Sequence, residues 1–160
     1  MKIVPLNYET YLGVIENSVG TNLFRAVFAT VDGVKKDITE DGNLSCAFFV
    51  SSILKMFDHI ESIHSTVSGT VRDLEKSGWQ KIQEPKIGAV LVWEEKEDQN
   101  KEKHAHIGFY VEESMAVSNS SEGRTPQKHH STYGELGATT FRKITGIFWK
   151  EGIEKAQTKV

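Results

Sequence analysis

The chain has 160 residues, a formal charge of −3 with acidic and basic residues intermixed, and a single cysteine. That size and balance fit one domain spanning residues 1–160. They give nucleic acid no basic face and an anionic membrane no polybasic run, and one cysteine excludes an internal disulfide. No apolar stretch approaches the roughly 20 residues that span a bilayer, and the opening MKIVPLNYETYLG lacks the apolar core and cleavage site of a secretory signal, so the sequence reads as cytoplasmic and not membrane-inserted.

In chain order, residues 8–19 place Tyr11, Leu12, Ile15 and Val19 on one side at three- and four-residue steps, which predicts a short helix. From Leu23 the chain turns rich in Phe and Val, and Asp32-Gly33 between Val31 and Val34 predicts a hairpin over 24–38. The run Glu40-Asp41-Gly42-Asn43 reads as a loop, with Asn43 or Ser45 able to cap a helix. That helix, from 46 to about 59, carries Val50, Ile53, Leu54 and Phe57 on one stripe with Phe49 beside them, and a second covers about 67–77 with Val71 and Leu74 inward and Gly78 as terminator. Strand signals follow. Residues 87–93 are a continuous apolar run through Gly88, and residues 104–111 alternate His104, His106, Gly108 and Tyr110 with Ala105, Ile107, Phe109 and Val111. The acidic turn 112–114 makes 115–120 the antiparallel partner, the charge run 94–103 reads as a solvated loop, and 142–149 is a last strand. The predicted architecture is α+β, with helices on one side of an antiparallel sheet.

A cysteine in the first turn of a helix meets unsatisfied N–H groups and the positive end of the helix dipole, which favour a thiolate and can also donate to an oxyanion. An isolated cysteine is more often a small buried apolar residue, so Cys46 needs a base. His106 supplies a candidate. It is distant in sequence, on a strand, and faces the same way as Gly108, whose missing side chain leaves room for another group. Its imidazole could take the thiol proton and return it to a leaving amine. His104, nearer the charged run, reads as a solvated histidine. His129 and His130 with His104 and His106 could suggest zinc, but the spacing is only permissive and no carboxylate joins them, so no metal and no cofactor is expected. Trp79, Trp93 and Trp149 read as core or cleft wall.

The helix LSCAFFVSSIL, the strand pair IGAVLVW and HIGFYV, and the following AVSNSS resemble the order of parts in the NlpC-type cell-wall peptidases and the related CHAP amidases. Both are papain-like. The match covers about residues 44–120. Cys46 falls on the nucleophile position, Gly88 on the second strand, and His106 through Tyr110 on the strand that carries the base. The chain departs from the family in having Ser45-Cys46-Ala47-Phe48 for the usual Asp-Cys-Ser-Gly, and Gly88-Ala89 for Gly-Asp. Neither change removes a reacting group. The resemblance implies a papain-like fold with a catalytic core at about 40–150 and a cysteine peptidase or amidase activity. The substrate it implies is a peptidoglycan stem peptide or the bond joining that peptide to the glycan. It also implies a third residue orienting the base, usually a histidine in the NlpC type. The ungapped count gives Ser118, while Asn119 is the better acceptor chemically; the two point to opposite faces of a strand, and Asn119 is the expected choice. The alternative is a catalytically silent module of the same fold that binds a cell-wall peptide or a partner protein.

Overall fold

The computed structural model describes residues 1–97 and 101–155. Helix α1 (Asn7–Asn17) comes first, with Tyr11 and Ile15 fully buried as the spacing predicts, while Val19 lies outside the helix and exposed. Strands β1 (Phe28–Val31) and β2 (Val34–Asp37) form the predicted hairpin. Its two turn residues, Asp32 and Gly33, have φ of 51° and 79°, the left-handed pair that a two-residue turn between right-twisting strands needs. Helix α2 (Cys46–Met56) buries Phe49, Val50, Ile53 and Leu54. It ends three residues before the expected His59, and neither expected cap acts through its side chain. Ser45 is the N-cap residue but makes no side-chain cap bond, and the Asn43 amide donates instead to Glu40. Helix α3 (Val67–Lys76) is capped by Thr66, whose hydroxyl accepts from the Gly69 N–H, and Gly78 follows it at φ 88°.

A six-stranded antiparallel sheet completes the fold, in the order β3 (Gln80–Lys81), β8 (Ile144–Trp149), β4 (Val90–Glu97), β5 (Lys103–Glu112), β6 (Met115–Asn119), β7 (Pro126–His130). The α+β class is as predicted. Strands β3 and β7 are additions. The first is too short to leave a pattern, and PQKHH is a polar edge strand whose proline sits at its first position, where no ladder N–H is required. Strand β4 starts at Val90 rather than Ile87, because Gly88 turns at φ 86° while its carbonyl accepts from the Tyr11 hydroxyl (2.8 Å). The charged run is not all loop either. Glu94 to Glu97 continue β4 and Lys103 opens β5, paired to each other and bulged between Trp93 and Lys96; residues 98–100 lie outside the described residues. The last strand begins two residues later than expected and leaves Arg142 ahead of it.

The apolar run of β4 is explained by burial on both faces. Val90, Ile107, Phe109, Val111 and Val117 join the helices in the main core, while Leu91, Trp93 and Ala116 form a second cluster behind the sheet with Tyr110 and Tyr133. All three tryptophans are core: Trp79, Trp93 and Trp149 are buried. Among the described residues no helix is long and apolar enough to cross a membrane.

Candidate active site

Cys46 is presented by the loop that precedes α2. Asp37 organises that loop: its carboxylate accepts from the N–H groups of Val27, Thr39 and Asp41 and from the Thr39 hydroxyl. Burial pushes this carboxyl up, but those four bonds overcome it and hold the pKa down at about 2. Glu40, Asp41 and Gly42 then all take positive φ. At Gly42 only glycine fits, because a Cβ there would lie 2.6 Å from the Arg124 carbonyl oxygen. The Asn119 amide donates to the Gly42 carbonyl (2.8 Å) and ties the loop to the end of β6.

The backbone N–H groups of Ile107, Ala47 and Cys46 itself act to lower the pKa of the Cys46 thiol. The ladder between β5 and β6 stops at the pair Gly108–Ser118, so the Ile107 N–H lies beyond its end. Burial is nevertheless the larger influence and pushes the thiol pKa up, with the three N–H groups and Arg142 acting against it. The helix start thus offsets desolvation without producing the resting thiolate expected from the sequence.

His106 projects from β5 on the face opposite the main core, buried beneath Trp93 (ring centroids 5.4 Å apart). Its Nε2 lies 2.9 Å from Ser118 Oγ, and the same oxygen lies 2.7 Å from His129 Nε2 and 2.9 Å from the Tyr133 hydroxyl. Counting protons assigns every bond in this cluster. His129 Nδ1 contacts the His130 carbonyl oxygen (2.8 Å), which can only accept, so Nδ1 carries the hydrogen. Burial lowers the His129 pKa and keeps the ring neutral, so its Nε2 is an acceptor and takes the one Ser118 proton. Ser118 must then accept from both other partners. Burial pushes the Tyr133 hydroxyl up to about 12, which keeps it protonated as a donor, and His106 Nε2 is the second donor. The lone pair of His106 therefore resides on Nδ1, the nitrogen left available as a base. Burial first, and the nearby Arg142 and His129 next, lower the His106 pKa to about 3, so the resting imidazole is neutral.

Packing makes the cluster rigid. His129 and Tyr133 stack at 4.0 Å, and the Trp93 indole N–H donates to the Ser131 carbonyl (2.7 Å). A Cβ on Gly108 would meet the Val117 carbonyl oxygen at 2.6 Å and Ser118 Cβ at 2.7 Å, so the opening expected at this glycine exists and is filled by Ser118.

Cys46, His106 and Arg142 border one open cleft of about 1340 Å³, whose other walls are the starts of α3 and β5. His106, Ser118, His129, Tyr133 and Arg142 also line an adjoining recess of about 360 Å³. The contact expected between the imidazole and Asn119 is not the one made. The imidazole bonds to Ser118, while Asn119, on the opposite face of β6, serves the Gly42 loop. Alternation along a strand lets only one of the two reach the ring, and the ladder puts Ser118 opposite Gly108 on the His106 face. Tyr133 and Arg142 carry no motif and were invisible in the sequence; the His129-His130 pair was the one available signal for the outer part of the cluster. Among the described residues no three His, Cys, Asp or Glu side chains gather around a common point that could hold a metal. The chain matches no protein-family model and no curated protein.

Proposed function

We propose that this protein is a papain-like thiol hydrolase of amide bonds, with Cys46 as nucleophile and His106 as its base, acting on a peptidoglycan stem peptide or the bond joining it to the glycan. The observation that carries the reading is the hydrogen-bond chain from the His130 carbonyl through His129 and Ser118, which leaves the His106 lone pair on Nδ1. A base held in one tautomer by buried partners is what a thiol needs for proton removal at the moment of attack. In this mechanism the resting pair is neutral. Cys46 attacks as His106 Nδ1 takes its proton, the N–H groups at the start of α2 receive the oxyanion, and the imidazolium protonates the leaving amine before water resolves the thioester. The substrate class rests on the resemblance of LSCAFFVSSIL and HIGFYV to cell-wall peptidases. Mass analysis of purified peptidoglycan digested with the wild-type chain and with Cys46→Ala tests activity and bond together; identical fragments from both would reject it.

One observation favours a silent binding module of the same fold: the thiol pKa is raised and the imidazole pKa is lowered to about 3, so neither group is activated at rest. The pH profile of Cys46 alkylation separates the two readings. An assisted thiol reacts faster than a free one at neutral pH and slows when His106 is replaced, whereas an unassisted buried thiol reacts slowly and follows its own raised pKa.

Ser118 and Asn119 give a paired test. Ser118→Ala removes the acceptor that orients the ring, a bond worth about 1–2 kcal/mol, and should lower the rate about five- to thirtyfold, alongside a stability loss of about 1–3 kcal/mol from the buried partners it leaves unpaired. Asn119→Ala leaves the Gly42 carbonyl without its donor and should show mainly as lost stability, about 1–2 kcal/mol in urea unfolding. The opposite ranking, with rate lost at Asn119 and not at Ser118, would refute the Ser118 assignment.

A further inference from the structure

Arg142 sits where the sheet comes apart. Its Nε donates to the Glu94 carbonyl (2.9 Å) on β4 and its Nη2 to the His104 carbonyl (2.7 Å) on β5, so the guanidinium spans the two strands beside their bulge and is fixed in orientation. Two backbone carbonyls satisfy two of its nitrogens but do not neutralise it. Among the described residues no carboxylate lies within ion-pair distance of Arg142, and its Nη1 has no hydrogen-bond partner. Glu94, whose charge acts on Arg142 without an ion pair, is turned to the Lys143 N–H (2.9 Å). Of the other cations on the cleft rim, Arg124 is paired with Asp41 (2.8 Å) and the Lys96 ammonium donates to the Phe141 carbonyl (2.7 Å), whereas Arg142 has no carboxylate partner among the described residues.

A half-buried cation without a counter-ion is costly, and burial accordingly lowers its pKa. Bridging two carbonyls does not require a charge. The charge also works against the chemistry at rest, since Arg142 disfavours the imidazolium that His106 must form. An anion held at Nη1 would remove both penalties at once, and a planar fork with fixed donors suits a carboxylate.

We propose that Arg142 is a carboxylate-binding subsite of this cleft, and that the amide attacked by Cys46 belongs to a substrate with a free carboxylate within about one residue of the scissile bond. The inference deepens the thiol-hydrolase reading and rests on it for the identity of the reacting bond. By neutralising Arg142, the bound carboxylate also relieves the repulsion on the imidazolium, so the acid substrate gains in kcat as well as in KM over its carboxamide analogue.

Two probes test this without a known substrate. Cys46 is alkylated with iodoacetate and with iodoacetamide, each rate being normalised to that of N-acetylcysteine. The wild-type protein should favour the anionic reagent by about tenfold over this reference, and Arg142→Gln should bring the preference back to about one. Separately, the Arg142 Nε–H resonance of the wild-type protein is followed during titration with N-acetylglycine and with N-acetylglycinamide. The acid should give a saturable shift and the amide none. Because the second arm uses only the wild-type chain, it stands even if the variant folds poorly. Equal normalised alkylation rates, or no saturable shift with the acid, would overturn the subsite. A thiol inert to both reagents alongside a saturable carboxylate shift would instead sink the hydrolase reading and keep the subsite.

Discussion

Replacing Cys46 by Ala should reduce amide hydrolysis by at least about 10⁴-fold, because no other group in the cleft can form the thioester and members of a catalytic unit fail together. His106→Ala should be nearly as damaging. Once the imidazole is gone, a thiol whose burial already raises its pKa has no proton acceptor. His104→Ala should be mild, since the proposed mechanism gives the acceptor role to His106 alone. The measurement is the steady-state rate on purified peptidoglycan for all three variants, with circular dichroism and melting temperature recorded alongside. Cys46 is partly exposed at a helix end and its truncation deletes little packed volume, so Cys46→Ala should keep the native spectrum and lose no more than about 1 kcal/mol. Unfolding of Cys46→Ala would mark a core cysteine and remove the nucleophile. Equal losses at His104 and His106 would show that the base had been misassigned.

Acid should destabilise the fold well above the range in which carboxylates titrate. His106 is neutral in the folded chain down to a pKa of about 3, whereas an unfolded histidine protonates near 6.5. Between those values the unfolded state binds the extra proton. Stability is therefore fully present above about pH 6.5 and falls by about 1.4 kcal/mol per pH unit for this residue as the pH drops toward 3. His59 acts in the same sense down to about 4, through burial first and the Lys150 charge second. Below the ordinary carboxylate range Asp37 and Asp73 extend the loss, since hydrogen bonds to each outweigh burial and hold its pKa at about 2. Urea unfolding from pH 7 to pH 4 measures the slope, and His106→Gln should flatten it by about 1.4 kcal/mol per unit. A wild-type stability independent of pH across that window would contradict the buried neutral imidazole.

Local order was written in the sequence wherever one period or one turn decided it. The stripes of α1, α2 and α3, the Asp32-Gly33 hairpin and the alternation of β5 need only short-range geometry, and each of these elements forms, though α1 stops at Asn17, α2 at Met56 and the hairpin strands begin only at Phe28. The failures lie where a long-range partner overrode the local signal. Gly88 breaks an apolar run because Tyr11, far away in sequence, fixes its carbonyl, and polar PQKHH becomes a strand because β6 offers it an edge. Cys46 and His106 could be singled out by residue type and order alone, since a thiol at a helix start and an imidazole on an alternating strand are each visible in one line of text. The third residue could not. Choosing Asn119 over Ser118 weighed acceptor strength, whereas the outcome is set by which face of β6 meets His106, a matter of register between strands. Tyr133 and Arg142 belong to the site only because the tertiary fold carries the segment between β7 and β8 back over Ser118 and across the ends of β4 and β5. Sequence by itself singled out the candidate reacting groups and the three helices, the hairpin and β5, because those follow from side-chain chemistry and neighbours a few residues away. Only the tertiary structure decided where the imidazole proton resides and which charge faces the thiol, because both depend on donors and acceptors brought together from distant parts of the chain.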